Sequence, residues 1–289
     1  MFNNFKKAIA KVNGIKINYR IAGNGPPVLL LHGYPQTHIM WREVAPLLAK
    51  NYTVVCSDLR GYGDSEKPIS DEDHQTYSKS VMGKDQHELM NHLGFSKYYL
   101  VGHDRGARVA HRMAIDYQEA IQKLIVLDIV PTLHVFENTE QTLARRYYHW
   151  FFLIQPYPHP ETLINNSVEF YLKSKLAMWG SREGFISEEA LSEYLRCFSN
   201  KDTIHASCED YRAGASIDLV EHKRDYEKKI KCPLLVLWGK KGTVEELYNP
   251  IEVWKNWANN VSGEALECGH FLPEEKPKET YQYIIDFFD

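Results

Sequence analysis

The stretch LVGHDRGARVAHRM, residues 100–113, decides the fold. It closes an apolar run, Tyr99-Leu100-Val101, passes through Gly102-His103-Asp104-Arg105-Gly106, and goes on with apolar residues at helical spacing. That order is a strand, a tight turn and a helix, with a reactive side chain between glycines that admit backbone where a Cβ would block it. The best-known version of this turn carries a serine; here Asp104 stands in its place. A serine attacking an sp³ carbon would form an ether that water cannot release, whereas a carboxylate forms an ester that a second step can hydrolyse. With an ordinary pKa of about 3.9, the aspartate is ionised at neutral pH and attacks without a base. An aspartate opening a helix is also a common cap, so the rest of the chain decides between the two roles.

Outward from the turn, short Val-, Ile- and Leu-rich runs alternate with longer amphipathic stretches, as buried parallel strands and their crossover helices do. Strands are expected at 27–31, 53–57, 98–101, 124–127 and 234–238, with helices near 41–50, 75–93, 105–117 and 278–288. Two further strands, 8–12 and 15–21, flank the Asn13-Gly14 hairpin signal, and another is expected at 263–266. The rhythm breaks after Pro131: to about Lys231 the chain is rich in Tyr, Trp, Phe and His at helical spacing. The predicted organisation is an α/β core in two parts, 1–130 and 232–289, interrupted by a helical cap over 131–231.

Three segments supply partners for Asp104. His32-Gly33-Tyr34-Pro35 follows an apolar strand, where the backbone N–H of Tyr34 and that of Arg105 would together hold an oxyanion. Cys268-Gly269-His270-Phe271 lies between the last strand and the last helix, the place of a base in the order nucleophile, acid, histidine. The acid that orients it is assigned to Asp128, ending LeuIleValLeuAsp, because the segment after LLVLWG holds no Asp and only Glu245 and Glu246 slightly later. Arg105 and Arg108, three apart at the helix start, suit a small carboxylate, helped by the positive helix N-terminus.

The composition excludes several classes. With 289 residues, 44% hydrophobic and 25% charged, and a net charge of −4 with no basic stripe, the chain reads as an ordinary globular protein and not a nucleic-acid binder. No apolar run reaches signal-peptide or membrane-span length, so a cytoplasmic location is expected. The five cysteines, at 56, 197, 208, 232 and 268, form no CxxC pair and read as reduced thiols, and the sequons at Asn51, Asn165 and Asn260 carry no weight without a secretory signal. His87 and His92 are five apart, one too many for a HExxH zinc helix, and neither a dinucleotide loop nor a Walker lysine is present. No metal and no cofactor are expected.

Taken together, LLLHGYPQTHIMW, SDLRGYGDSEKP, VGHDRGARVAHRMA, VLDIVPT, YYHWFF, CEDYRAG and CGHF resemble the α/β-hydrolase superfamily over nearly the whole chain, and within it the fluoroacetate (haloacetate) dehalogenases. The resemblance implies an α/β-hydrolase fold with a helical cap. It also implies hydrolytic dehalogenation of a small haloacid, carboxylate binding by Arg105 and Arg108, a halide pocket of His149, Trp150 and Tyr211, and a homodimer formed through the cap. Trp179 matches a pocket-lining aromatic of that family. Tyr34 departs from the phenylalanine often found there, which leaves its backbone role intact and adds a hydroxyl. Two other readings stay open. An epoxide hydrolase would use the same aspartate with cap tyrosines among Tyr147, Tyr148, Tyr171, Tyr194 and Tyr211, although an epoxide offers the arginines no carboxylate. A ligand-sensing protein on this fold would bind without turnover.

Overall fold

The computed structural model describes Phe2 and residues 4–289. Eight strands form one sheet: β1 Lys6–Val12, β2 Ile15–Ala22, β3 Pro27–Leu31, β4 Thr53–Ser57, β5 Tyr98–His103, β6 Ile121–Leu127, β7 Leu234–Gly239 and β8 Val261–Leu266. Their order is β1-β2-β4-β3-β5-β6-β7-β8; β1 pairs antiparallel with β2 and β2 with β4, and every later pairing is parallel. The parallel strands carry near-continuous apolar runs because helices cover both faces, and Leu29, Leu30, Leu100, Val101, Leu124, Ile125, Val126, Val236 and Leu237 are all fully buried.

Register turns this sheet into a site. Leu31 lies opposite Gly102, His103 opposite Leu127, Leu127 opposite Leu237 and Gly239 opposite Leu266. The strands therefore end together, and the segments that follow them, which carry Tyr34, Asp104, Asp128 and His270, meet at the carboxyl ends of the strands. Because β3 rather than β4 neighbours β5, the chain reverses its winding at this point, where open α/β sheets form their ligand crevice.

The strands sit where the apolar runs place them, with β1, β5, β6 and β8 extending two or three residues beyond the expected ends. Two helices differ. The stretch expected to be helical over 41–50 is only a 3₁₀ turn, His38–Trp41, and one α turn, Ala45–Leu48. Pro46 in that turn supplies no N–H, and the segment is held instead by burial of Met40, Trp41, Val44 and Leu48. The stretch 75–93 breaks at Ser78, which takes an extended conformation and accepts from the Val81 N–H at 3.3 Å, capping the helix Lys79–His92. Between β6 and β7 the described residues hold eight helices, from Thr132–Glu137 to Ile217–Arg224, and no strand. Among the described residues no helix is long and apolar enough to cross a membrane.

Candidate active site

Asp104 sits between β5 and the helix Arg105–Asp116 with φ +48°, a conformation that an L-residue adopts only when its surroundings hold it there. The flanking glycines explain how. A Cβ on Gly106 would lie 2.3 Å from the His32 carbonyl oxygen, and one on Gly102 would lie 2.6 Å from the Ala107 Cα, so helix and strand approach more closely than any side chain permits. The Tyr34 N–H donates to Asp104 Oδ1 at 2.8 Å. Arg105 opens the helix, so its own N–H has no intrahelical acceptor.

His270 faces Asp104 across 3.8 Å, Nε2 to Oδ2, while its Nδ1 lies 2.5 Å from Asp128 Oδ2. Asp128, itself at φ +54°, is pinned by the Gly239 N–H, which donates to Oδ1 at 2.8 Å. The alternatives in sequence are engaged by other partners: Glu245 accepts from the Trp238 indole N–H, and Glu246, although it lines the same cavity, pairs with Arg146 at 2.8 Å. Burial works against charge on His270, but the bond to Asp128 and the charges of Asp128 and Asp104 outweigh it and raise its pKa above the ordinary value. For Asp104 burial opposes ionisation, yet His270, His103, Arg105 and Arg108 outweigh it and lower its pKa.

The two arginines are not equivalent. Arg105 is stacked 4.1 Å over the Tyr211 ring, and its Nε and Nη2 are committed to Asp210, at 2.9 and 2.7 Å. Asp210 in turn holds Lys79 and accepts from the Tyr62 hydroxyl at 2.7 Å. Arg108 donates from Nη1 to the Val130 carbonyl and the Thr132 hydroxyl, both at 3.0 Å; its Nε has no partner, and Trp150 stacks 4.5 Å away. Among the described residues, the buried Arg42, Arg60, Arg105, Arg112 and Arg212 each pair with a carboxylate, and Arg108 pairs with none. Burial, with Arg105 as a neighbour, lowers its pKa to about 10, which leaves it charged at neutral pH.

A cavity of about 360 Å³ adjoins these groups, and Asp104, Asp128, His270, His149, Trp150 and Trp179 line it. Arg105, Arg108 and Tyr211 are not part of that lining; both arginines pack against Trp150, and Arg105 against Tyr211. His149 is buried and held neutral, mainly by desolvation, with no partner for Nδ1. The Tyr211 hydroxyl is likewise unpartnered, and burial raises its pKa well above 10, so it stays protonated. The Tyr34 hydroxyl is taken up by Tyr171 at 3.1 Å. Trp179 also accepts the His270 N–H on its carbonyl at 2.9 Å, tying the cap to the histidine loop. Sequence reasoning passed over Asp210, Lys175 and the basic rim residues Arg145, Arg146 and Lys241; Asp210 lies inside CEDYRAG, but nothing along the chain announces its partner.

This sheet order, with a strand-to-helix turn at Asp104 and with Asp128 and His270 beside it, fits one class of fold. A family profile for the alpha/beta hydrolase fold matches residues 26–277, and the chain belongs to the α/β-hydrolase family as a hydrolytic enzyme. It is 43% identical over 289 residues to a fluoroacetate dehalogenase from Burkholderia sp, covering 99% of this chain and 95% of that one. It is also 35% identical over 283 residues to a soluble epoxide hydrolase from Corynebacterium sp. (strain C12), covering 96% of each. Among solved structures, a "putative alpha/beta hydrolase" from Nostoc sp PCC 7120 superimposes with a TM-score of 0.99 at 54% identity, over 100% of this chain and 99% of that one.

Proposed function

We propose that the protein hydrolyses a small haloacid, with fluoroacetate the simplest case, to the hydroxyacid and halide. The observation that carries this reading is Arg108, a buried guanidinium one helical turn from Asp104 that bonds to the Val130 carbonyl and the Thr132 hydroxyl and to no carboxylate. An unpaired buried charge is costly, and a substrate carboxylate supplies what the fold withholds. Arg105, its charge already balanced by Asp210, has Nη1 left to add a second contact.

In the first step Asp104 attacks the carbon bearing the halogen; the C–O bond forms and the carbon–halogen pair leaves with the halide, received by donors from His149, Trp150 and Tyr211. In the second step His270 takes a proton from water, which adds to the ester carbon of Asp104 while the Tyr34 and Arg105 N–H groups hold the oxyanion. The acid Asp128 keeps the imidazole oriented. As the intermediate collapses, the protonated His270 returns its proton to the departing alkoxide oxygen, which frees the hydroxyacid, and the carboxyl group formed at Asp104 loses its proton to water and is again a carboxylate. The five cysteines, all free thiols, support placing this reaction in the reducing cytoplasm.

One observation favours a second reading: Tyr147 lines the same cavity as Asp104 and is kept protonated by burial, as an epoxide-opening acid would be. The test is release of fluoride and glycolate from fluoroacetate, with Asp104→Asn and styrene oxide alongside. Release by the wild type that vanishes in Asp104→Asn supports the dehalogenase; diol from styrene oxide with no fluoride release transfers the assignment to the epoxide.

A further inference from the structure

Arg108 is not the only buried cation without an acid. Lys175, on the cap helix Val168–Trp179, is fully buried, and among the described residues its Nζ makes no hydrogen bond and no ion pair. Three rings surround the ammonium: Tyr148 at 3.6 Å, Tyr171 at 5.3 Å and Trp179 at 5.6 Å from Nζ to centroid. Trp179 in turn lies 4.6 Å from the His149 ring, and after desolvation, which does most to keep His149 neutral, Lys175 is the largest of the charges acting on it. The groups facing Lys175 are Tyr171 and Trp179 of its own helix and Tyr148 and His149 of the helix Tyr148–Leu153, with the Tyr34 hydroxyl and Cys208 beyond Tyr171. None is a carboxylate. Aromatic faces attract the ammonium but do not neutralise it.

We propose that Lys175 is the counter-charge of the leaving group: a buried ammonium beside His149 that stabilises the halide as it forms. This rests on the dehalogenase reading, and charge balance gives the reason. Attack by Asp104 leaves the net charge of the site unchanged, because the negative charge lost from its carboxylate reappears on the halide. What lowers the barrier is a field more positive at the halide end than at the carboxylate end. Asp210 cancels Arg105 and the substrate carboxylate cancels Arg108; the rim cations Arg145 and Lys241 are exposed and screened by water, which leaves Lys175, on the His149 side, as the buried cation unspent. It acts through His149 and Trp179 rather than by touching the substrate, and is a positioning residue.

The site should therefore bind halide in a Lys175-dependent way. Burial lowers the pKa of Lys175 to about 8, so the charge is present below that pH and lost above it. Bromide titrations, read by quenching of the site tryptophans at pH 6.5 and 9.5, compare the wild type with Lys175→Met and Lys175→Arg. The wild type should bind bromide about tenfold more weakly at the higher pH, the Met variant weakly at both, and the Arg variant well at both. Single-turnover halide release should rank in the same order. Equal wild-type affinity at the two pH values, or Met-variant binding equal to wild type, overturns the proposal. If Lys175→Met fails to fold, the wild-type pH series and the Arg variant still decide it. Failure of the functional reading looks different: Lys175-dependent bromide binding without fluoride release keeps the anion site and removes the reaction, whereas fluoride release with bromide binding indifferent to Lys175 does the reverse.

Discussion

At the scale of single residues, Asp104 and His270 each favour the other's charged form across 3.8 Å. The charge on Asp104 is one of the influences that raise the histidine, and esterification would remove it. The imidazole should then shed its proton more readily when it is needed as a base. The free enzyme should show a His270 pKa above 6.5 by NMR, whereas decay of the ester, followed by rapid quench, should have its acid limb at a lower pH. An ester limb at or above the free-enzyme value would contradict the coupling. His270→Ala should release one equivalent of halide and accumulate an adduct on Asp104, visible by intact mass. For Arg108, replacement by Met should raise KM for haloacetate by about tenfold or more, since a charge-assisted contact is lost, and leave a neutral haloalkane little affected.

Elements are tied to one another through a few buried groups. Asp210 joins the cap helix Lys201–Gly214 to Lys79, at the start of the helix Lys79–His92, and to Arg105, at the start of the helix Arg105–Asp116. Lys79 keeps Asp218 at 3.2 Å if Asp210 is lost, but Arg105 keeps no acid. Asp210→Ala should therefore cost about 3–5 kcal/mol in urea unfolding, because it strands a buried guanidinium. Unfolding that matches the wild type within about 0.5 kcal/mol would mean that water satisfies Arg105 after all. The same reasoning explains why an Arg pair adjacent on one helix splits into unequal roles: Asp210 reaches one and no acid reaches the other.

Across the whole molecule, buried imidazoles make folding sensitive to acid. Desolvation lowers the pKa of His32, His103, His111, His149 and His222, the last to about 4, and His111 and His222 face each other 5.1 Å apart among Trp254 and Trp257. An unfolded chain takes up these protons below about pH 6.5 and the folded one does not, so the stability from these groups is full above that pH and declines as pH falls toward about 4. His270, raised by folding, works in the opposite direction. Thermal melts from pH 7 to 4 should show a falling Tm, and His222→Phe should flatten part of that fall. A Tm constant down to pH 4.5 would exclude the effect.

Sequence alone determined the strands, the elbow and the order of Asp104, Asp128 and His270, because each is written locally: an apolar run, a pair of glycines, an acid or histidine just past a strand. Expectation fell short in the helices near 41–50 and 75–93, where Pro46 and Ser78 outweighed periodicity. Tertiary structure alone decided which charges are balanced. Arg105 meets an acid 105 positions away, Arg108 meets none, and Lys175 is enclosed by rings from two helices. Periodicity tells which face of an element is buried, but the group opposite that face depends on how the cap docks over the carboxyl ends of the strands, and it is there that a buried charge finds its partner or waits for a ligand.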